Sequence, residues 1–126
     1  MEKPSYLYSI HSFQSAGVKL HGLPMDGRGL VTEGLEGQAA RTKAALLYTI
    51  PSFHNPTGIL MDAERRRELM EMTAALGLPV LEDGAYQDLW LDTSPRCRSK
   101  RWTGMDRCST WAPYRNPPAQ DCVSAG

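Results

Sequence analysis

The chain reads as an α/β protein with a mainly parallel sheet, on three observations. Helical and strand-like patterns alternate along it. Ala44–Ile50 is a continuous apolar run of strand length, as a strand covered on both faces requires. Two polar clusters, Asn55-Pro56-Thr57-Gly58 and Asp83-Gly84-Ala85-Tyr86, each follow a short apolar run, with an amphipathic helix between them. Such alternation argues for parallel strands joined by crossover helices. In open sheets of this kind ligands bind just outside the carboxyl ends of the strands. Both clusters therefore fall on one rim.

Taken in order, Pro4-Ser5 opens a helical pattern with Tyr8, Phe13 and Ala16 at helical spacing, closed by Gly17. Val18–Leu23 alternates apolar and polar and predicts a strand. Asp26-Gly27-Arg28-Gly29 predicts a turn. Thr32 caps a short helix that runs to about Ala40, with Leu35 as its main apolar contact. After the Ala44–Ile50 strand, Pro51 to Gly58 is too rich in Pro and Gly to be regular. Asp62 is the expected N-cap of the next helix, with Glu64 in its first turn, where the helix dipole favours an acid. Leu69, Met72 and Leu76 form its expected buried stripe. Arg65, Arg66, Arg67, Glu68 and Glu71 are expected on its wet face. Gly77 ends it, Pro79–Leu81 predicts a short buried strand, and Leu89–Leu91 another. No internal repeat is visible.

A chain of 126 residues is one domain or part of one. Its net charge is zero, with acids and bases interspersed until about residue 95, so no nucleic-acid footprint is expected from this segment. No apolar run is long enough to span a membrane, and Met1–Pro4 opens without the apolar core of a secretory signal. Cys97, Cys108 and Cys122 match no zinc spacing and read as free thiols, which makes the cytoplasm the expected compartment. From Ser94 onward the chain changes character. It holds every cysteine and two of the three tryptophans, is dense in Arg and Pro, and shows neither helical nor strand periodicity. The division expected is residues 1–92 as a folded unit and 93–126 as a disordered tail.

The two clusters carry the chemistry. Asn-Pro and Thr-Gly are common turn dipeptides, yet a rigid proline also fixes the preceding amide so that it can donate to a ligand oxygen. Asp83 could be a solvated loop acid. Placed at the end of an apolar strand, a carboxylate is also well suited to hold a proton on a ring nitrogen. Glu82 points to the opposite side and reads as structural. His11, His21 and His54 are scattered and form no ligand set.

In combination the clusters are specific. PSFHNPTG resembles the P-S-[FH]-x-N-P-T-G loop, and LEDGAY the [IL]-E-D-x-x-Y strand end, of class I/II aminotransferases that use pyridoxal 5′-phosphate (fold type I). The opening EKPSYLYSIHSFQSAGVKLHGLPMDGRGL is similar to the family's E-x-P-[ST]-Y … F-x-x-A-G … V-P-x-D-x-x-G-L stretch. Within the family the chain resembles the branch holding 2-aminoadipate-type aminotransferases and the aminotransferase domains of MocR-type regulators. The resemblance covers about residues 1–92 and implies part of a three-layer α/β/α large domain. It implies that Asn55 and Tyr86 donate to the 3′ oxygen of the cofactor ring and that Asp83 pairs with its pyridinium nitrogen. It implies that Tyr6 stacks on the ring. It further implies an amino acid and a 2-oxo acid as substrates, and a homodimeric parent.

The family also requires a Schiff-base lysine, in a motif like S-x-S-K-x-x-x-P-G-x-R-x-G-[WY] some thirty residues after the aspartate. Lys100 is the only lysine after Lys43, and RSKRW is not that context, so no catalytic residue is assigned in this reading frame. The tail explains the loss. Joining the third base of each codon to the first two of the next forces Gly at Trp111/Ala112 and Leu at Asp121/Cys122. The same reading permits G-T-L-S-K-S-x-S-P-G-L-R-I-G-W from Trp111 to Gly126, with the lysine codon across Arg115 and Asn116. A shift of reading frame near Thr93–Pro95 is therefore expected. The chain reads as an inactive slice of an aminotransferase or, alternatively, of the effector domain of a MocR-type regulator.

Overall fold

A computed structural model describes residues 1–87 and the strand 108–111. Over that range it holds helices α1 (Leu7–Ser15), α2 (Leu35–Thr42) and α3 (Ala63–Ala75). The strands are β1 (Met25–Asp26), β2 (Gly29–Leu30), β3 (Leu47–Thr49), β4 (Val80–Asp83) and β5 (Cys108–Trp111). β3, β4 and β5 form a sheet in that order, parallel throughout, with Leu47 opposite Val80 and Val80 opposite Cys108. Leu30, Leu35, Leu47, Leu69, Met70 and Val80 are central to one apolar cluster between the helices and this sheet. The β3–α3–β4 unit thus puts the loops after Thr49 and Asp83 at the same edge, as parallel pairing demands.

The expected turn at residues 26–29 closes a two-stranded hairpin, β1 against β2. The Asp26 carboxylate accepts from the Arg28 N–H at 2.8 Å. Gly29 stands at φ +107°, and a Cβ there would lie 3.1 Å from the Met61 side chain, so both backbone and space require glycine. Asp62 caps α3 by accepting from the Arg65 N–H at 2.8 Å. It also accepts from the Arg28 guanidinium at 2.5 Å, which ties the hairpin to the start of the helix.

Four expectations change. Arg65 and Arg66 are buried rather than on the wet face; Arg67 alone of the three stays exposed. The hairpin covers the first turn of α3, so Arg65 donates to the Leu30 carbonyl at 2.6 Å and to Asp26 at 3.0 Å. Arg66 pairs with Glu82 of β4, both almost fully buried. The buried stripe of α3 therefore runs through Arg66, Leu69, Met70 and Thr73, with Met72 half-buried and Leu76 exposed.

Second, Val18–Leu23 forms no strand. Val18 is exposed and its N–H closes α1 on Phe13, and Leu23 alone bridges Glu2. The partner segment reaches Pro4 two residues later, which has no N–H to extend a ladder. Third, α2 is capped at Gly34 and runs to Thr42, with Thr32 contributing its carbonyl to the Leu35 N–H. Fourth, the tail contains β5, paired in parallel register with β4, where no regular structure was expected. The strand expected at Leu89–Leu91 lies outside the described residues.

Glu2 fastens the N-terminal segment to the end of β3. Its buried carboxylate accepts from the Thr49 hydroxyl and from the Ile50 N–H, the latter at 2.9 Å. Burial raises its pKa above the ordinary glutamate value, against the opposing pull of these bonds. As pH rises through that ordinary value the unfolded chain ionises first, so stability is lost until the raised value is passed. Glu2→Gln keeps an acceptor and cannot ionise. Its urea midpoint relative to wild type is expected to improve as pH rises above the ordinary glutamate value of about 4. A constant difference there would show that Glu2 titrates as an exposed acid.

Candidate functional site

The rim beyond β3 and β4 gathers three of the four residues singled out from the sequence. The loop after β3 is closed on itself by backbone bonds from His54 N–H to the Ile59 carbonyl at 2.9 Å and from Met61 N–H to the Pro51 carbonyl at 2.8 Å. This fold-back carries Asn55 to Tyr86, whose hydroxyl oxygen accepts from the Asn55 amide at 3.3 Å. That contact leaves the phenol's own proton and the second amide hydrogen unspent, so two donors lie side by side. A ligand oxygen lying between them can accept both.

Asp83 ends β4 and is buried. One carboxylate oxygen accepts from the Ala85 N–H at 3.0 Å; the other accepts from the Tyr48 hydroxyl at 2.6 Å. An ionised carboxylate has about four lone-pair positions, so a further donor can still be taken. Tyr48 is a residue that sequence reasoning passed over as strand core. It lies on β3, in edge-to-face contact with Phe13 at 5.2 Å, and its oxygen also meets Ser9 Oγ at 2.8 Å. Burial, then the adjacent Asp83, raises its pKa, so the phenol keeps its proton. The available signal was its place, one strand position short of the loop, on the strand that pairs with the one ending in Asp83.

Gly84 admits the Gln87 side chain, whose amide oxygen lies 2.7 Å from where a Cβ would stand. His54 is buried, with Nδ1 on the Thr57 hydroxyl at 2.9 Å, and burial lowers its pKa. It braces the loop and belongs to no ligand set. Among the described residues no group of three His, Cys, Asp or Glu is placed to hold a metal ion, and no helix is long and apolar enough to cross a membrane. Tyr6 is the N-cap residue of α1. Its ring meets that of Tyr8, at 5.5 Å and tilted by 44°. An apolar cavity of about 420 Å³ lies beside β3, lined by Phe13, Val18, Leu35, Leu46, Tyr48 and Leu78.

An amide, a phenol and a buried carboxylate at the ends of adjacent parallel strands mark an α/β protein with a polar site at its sheet rim. The chain belongs to the aminotransferase class I and II family, whose model matches residues 1–110. It is 50% identical over 95 residues to the uncharacterized HTH-type transcriptional regulator YdfD of Bacillus subtilis, covering 75% of this chain and 20% of that one. To the 2-aminoadipate transaminase of Thermus thermophilus it is 38% identical over 90 residues, covering 71% and 23%. Among solved structures it superposes on LysN, an α-aminoadipate aminotransferase from Thermus thermophilus complexed with N-(5′-phosphopyridoxyl)-L-leucine. That match has a TM-score of 0.79 and 31% identity, over 86% of this chain and 29% of that one. An archaeal alanine:glyoxylate aminotransferase gives a TM-score of 0.81 at 30% identity, over 88% and 29%. The chain thus spans about a fifth of the length of these curated relatives.

Proposed function

We propose that this chain is the ring-binding slice of a pyridoxal-phosphate-dependent aminotransferase, which moves an amino group between an amino acid and a 2-oxo acid. The convergence of Asn55 and Tyr86 at 3.3 Å beside Asp83 carries the reading. The residues fit the cofactor. Asn55 and Tyr86 offer two donors to a ring oxygen, and Asp83 offers an acceptor to a ring N–H, holding its proton in place. With that nitrogen protonated, the bound ring supplies an electron sink. Tyr6, at the start of α1, offers an aromatic face. Partners and compartment follow as proposals: a homodimeric parent in the cytoplasm.

No lysine in this frame fits the family's context, so the chain as written should not transaminate. We propose that residues 93–126 arise from a frameshift near Thr93–Pro95. Three of the matched relatives align over 95, 94 and 90 residues, close to the length that precedes it. β5 also falls at Cys108–Trp111, and the shifted junctions from Arg107/Cys108 to Thr110/Trp111 permit the strand-like V-L-Y-L. Resequencing the locus tests this. A restored frame should yield a protein that takes up the cofactor and, after borohydride reduction, carries it on the lysine of the S-K motif. Failure of that protein to bind pyridoxal phosphate would overturn the reading.

A second reading rests on one observation: two relatives, at 50% and 49% identity, are named HTH-type transcriptional regulators. Codons upstream of Met1 decide between them. A winged-helix domain there assigns the same site to a regulator that senses the cofactor or an amine.

A further inference from the structure

We infer that Tyr48 is a positioning residue that, with Ser9 behind it, holds the Asp83 carboxylate at the angle needed to meet a ring N–H. The inference rests on the cofactor reading above and assigns a role within it to two residues that do not touch the ring.

The direction of each hydrogen bond follows from donor counting. Tyr48 has one proton and two oxygen neighbours, Asp83 at 2.6 Å and Ser9 at 2.8 Å. A carboxylate can only accept, so the phenol donates to Asp83 and the Ser9 hydroxyl must donate to Tyr48. The result is a one-way chain, Ser9 O–H to Tyr48 O–H to Asp83, in which each bond polarises the next. Asp83 is then clamped at both oxygens by donors from different places, the Ala85 N–H within its own loop and Tyr48 from the neighbouring strand. Two fixed donors stop rotation about the Cβ–Cγ bond and leave the remaining lone pairs aimed in one direction. Phe13 packs edge-on against the Tyr48 ring, so the phenol cannot swing away without disturbing α1. A phenylalanine at 48 would satisfy strand and core equally well; only the hydroxyl serves Asp83.

The test uses the 126-residue chain and the frame-restored protein in wild-type, Tyr48→Phe, Ser9→Ala and Asp83→Asn forms. In the chain without cofactor, hydrogen exchange of the Ala85 amide reports the carboxylate's orientation, with the β4 amides as a folding control. Tyr48→Phe should speed Ala85 exchange about tenfold, and Ser9→Ala by less, with β4 protection unchanged. Equal acceleration of the β4 amides would mean that Tyr48 serves only stability, and unchanged Ala85 exchange that it does not orient Asp83; either overturns the inference. In the restored protein, binding is compared for pyridoxal phosphate and its 1-deaza analogue, which has C–H in place of the ring nitrogen. Wild type should prefer the nitrogen ring, Tyr48→Phe should lose most of that preference, and Asp83→Asn all of it. Faster Ala85 exchange with no preference in wild type would sink the cofactor reading while leaving the Tyr48–Asp83 clamp in place. A preference fully kept in Tyr48→Phe would remove Tyr48 from ring recognition.

Discussion

Glu82→Gln is expected to destabilise the 126-residue chain by about 3–5 kcal/mol, because it leaves the Arg66 guanidinium charged and buried against a neutral partner. Arg66 and Glu82 are 2% and 1% exposed at their side chains, and their ion pair is a polar link between α3 and β4. Pairing in such a place does not by itself imply large net stabilisation, since both ions lose their hydration. The asymmetry is what matters. Removing one partner leaves a buried charge opposite a neutral group, whereas replacing both with apolar residues of similar volume removes the need for pairing. Arg66→Met with Glu82→Leu is therefore expected to recover most of the loss, measured as the coupling in a double-mutant cycle of urea midpoints. Purely additive losses would show that the two side chains act independently.

Asp83→Asn in the frame-restored protein is expected to weaken pyridoxal phosphate binding by about ten- to a hundredfold, the worth of one charge-assisted hydrogen bond. The change in stability should be much smaller, because the carboxamide has the same shape and its oxygen still accepts one of the two bonds now made to Asp83. Equilibrium binding and urea melts on the same preparation separate the two effects. Equal loss of affinity and stability would assign Asp83 to the fold rather than to the ring.

Much of the site could be read from the chain because it follows from local rules. Asp62 as a cap, Gly17 and Gly77 as helix ends, and the polar clusters after Ile50 and Glu82 each depend on a few neighbouring residues. The parallel order of β3 and β4 then placed Asn55 and Asp83 on one rim. Their meeting with Tyr86 and Tyr48 was not local. Asn55 and Tyr86 are 31 residues apart in sequence, Tyr48 and Asp83 35, and Ser9 and Tyr48 39.

The errors have the same origin. Arg65 and Arg66 lie on what the periodicity marks as a wet face, and on an isolated α3 they would be wet. The β1–β2 hairpin and β4 supply Leu30, Asp26 and Glu82 as partners, and a long arginine stem tolerates burial once its head is satisfied. Val18–Leu23 alternates like a strand but meets only Met1–Lys3, too short a partner to form a ladder with. At Cys108–Trp111, where the chain shows no strand periodicity, β5 pairs with β4. Backbone pairing along a strand edge accepts almost any side chain.

The family and the β3–α3–β4 unit with its two polar clusters were legible in the chain, because spacing and strand ends are local properties. Only the tertiary structure decided which charges are buried and that Tyr48 and Ser9 stand behind Asp83. Those outcomes depend on which surfaces meet after the chain closes, and desolvation makes a partner obligatory only then.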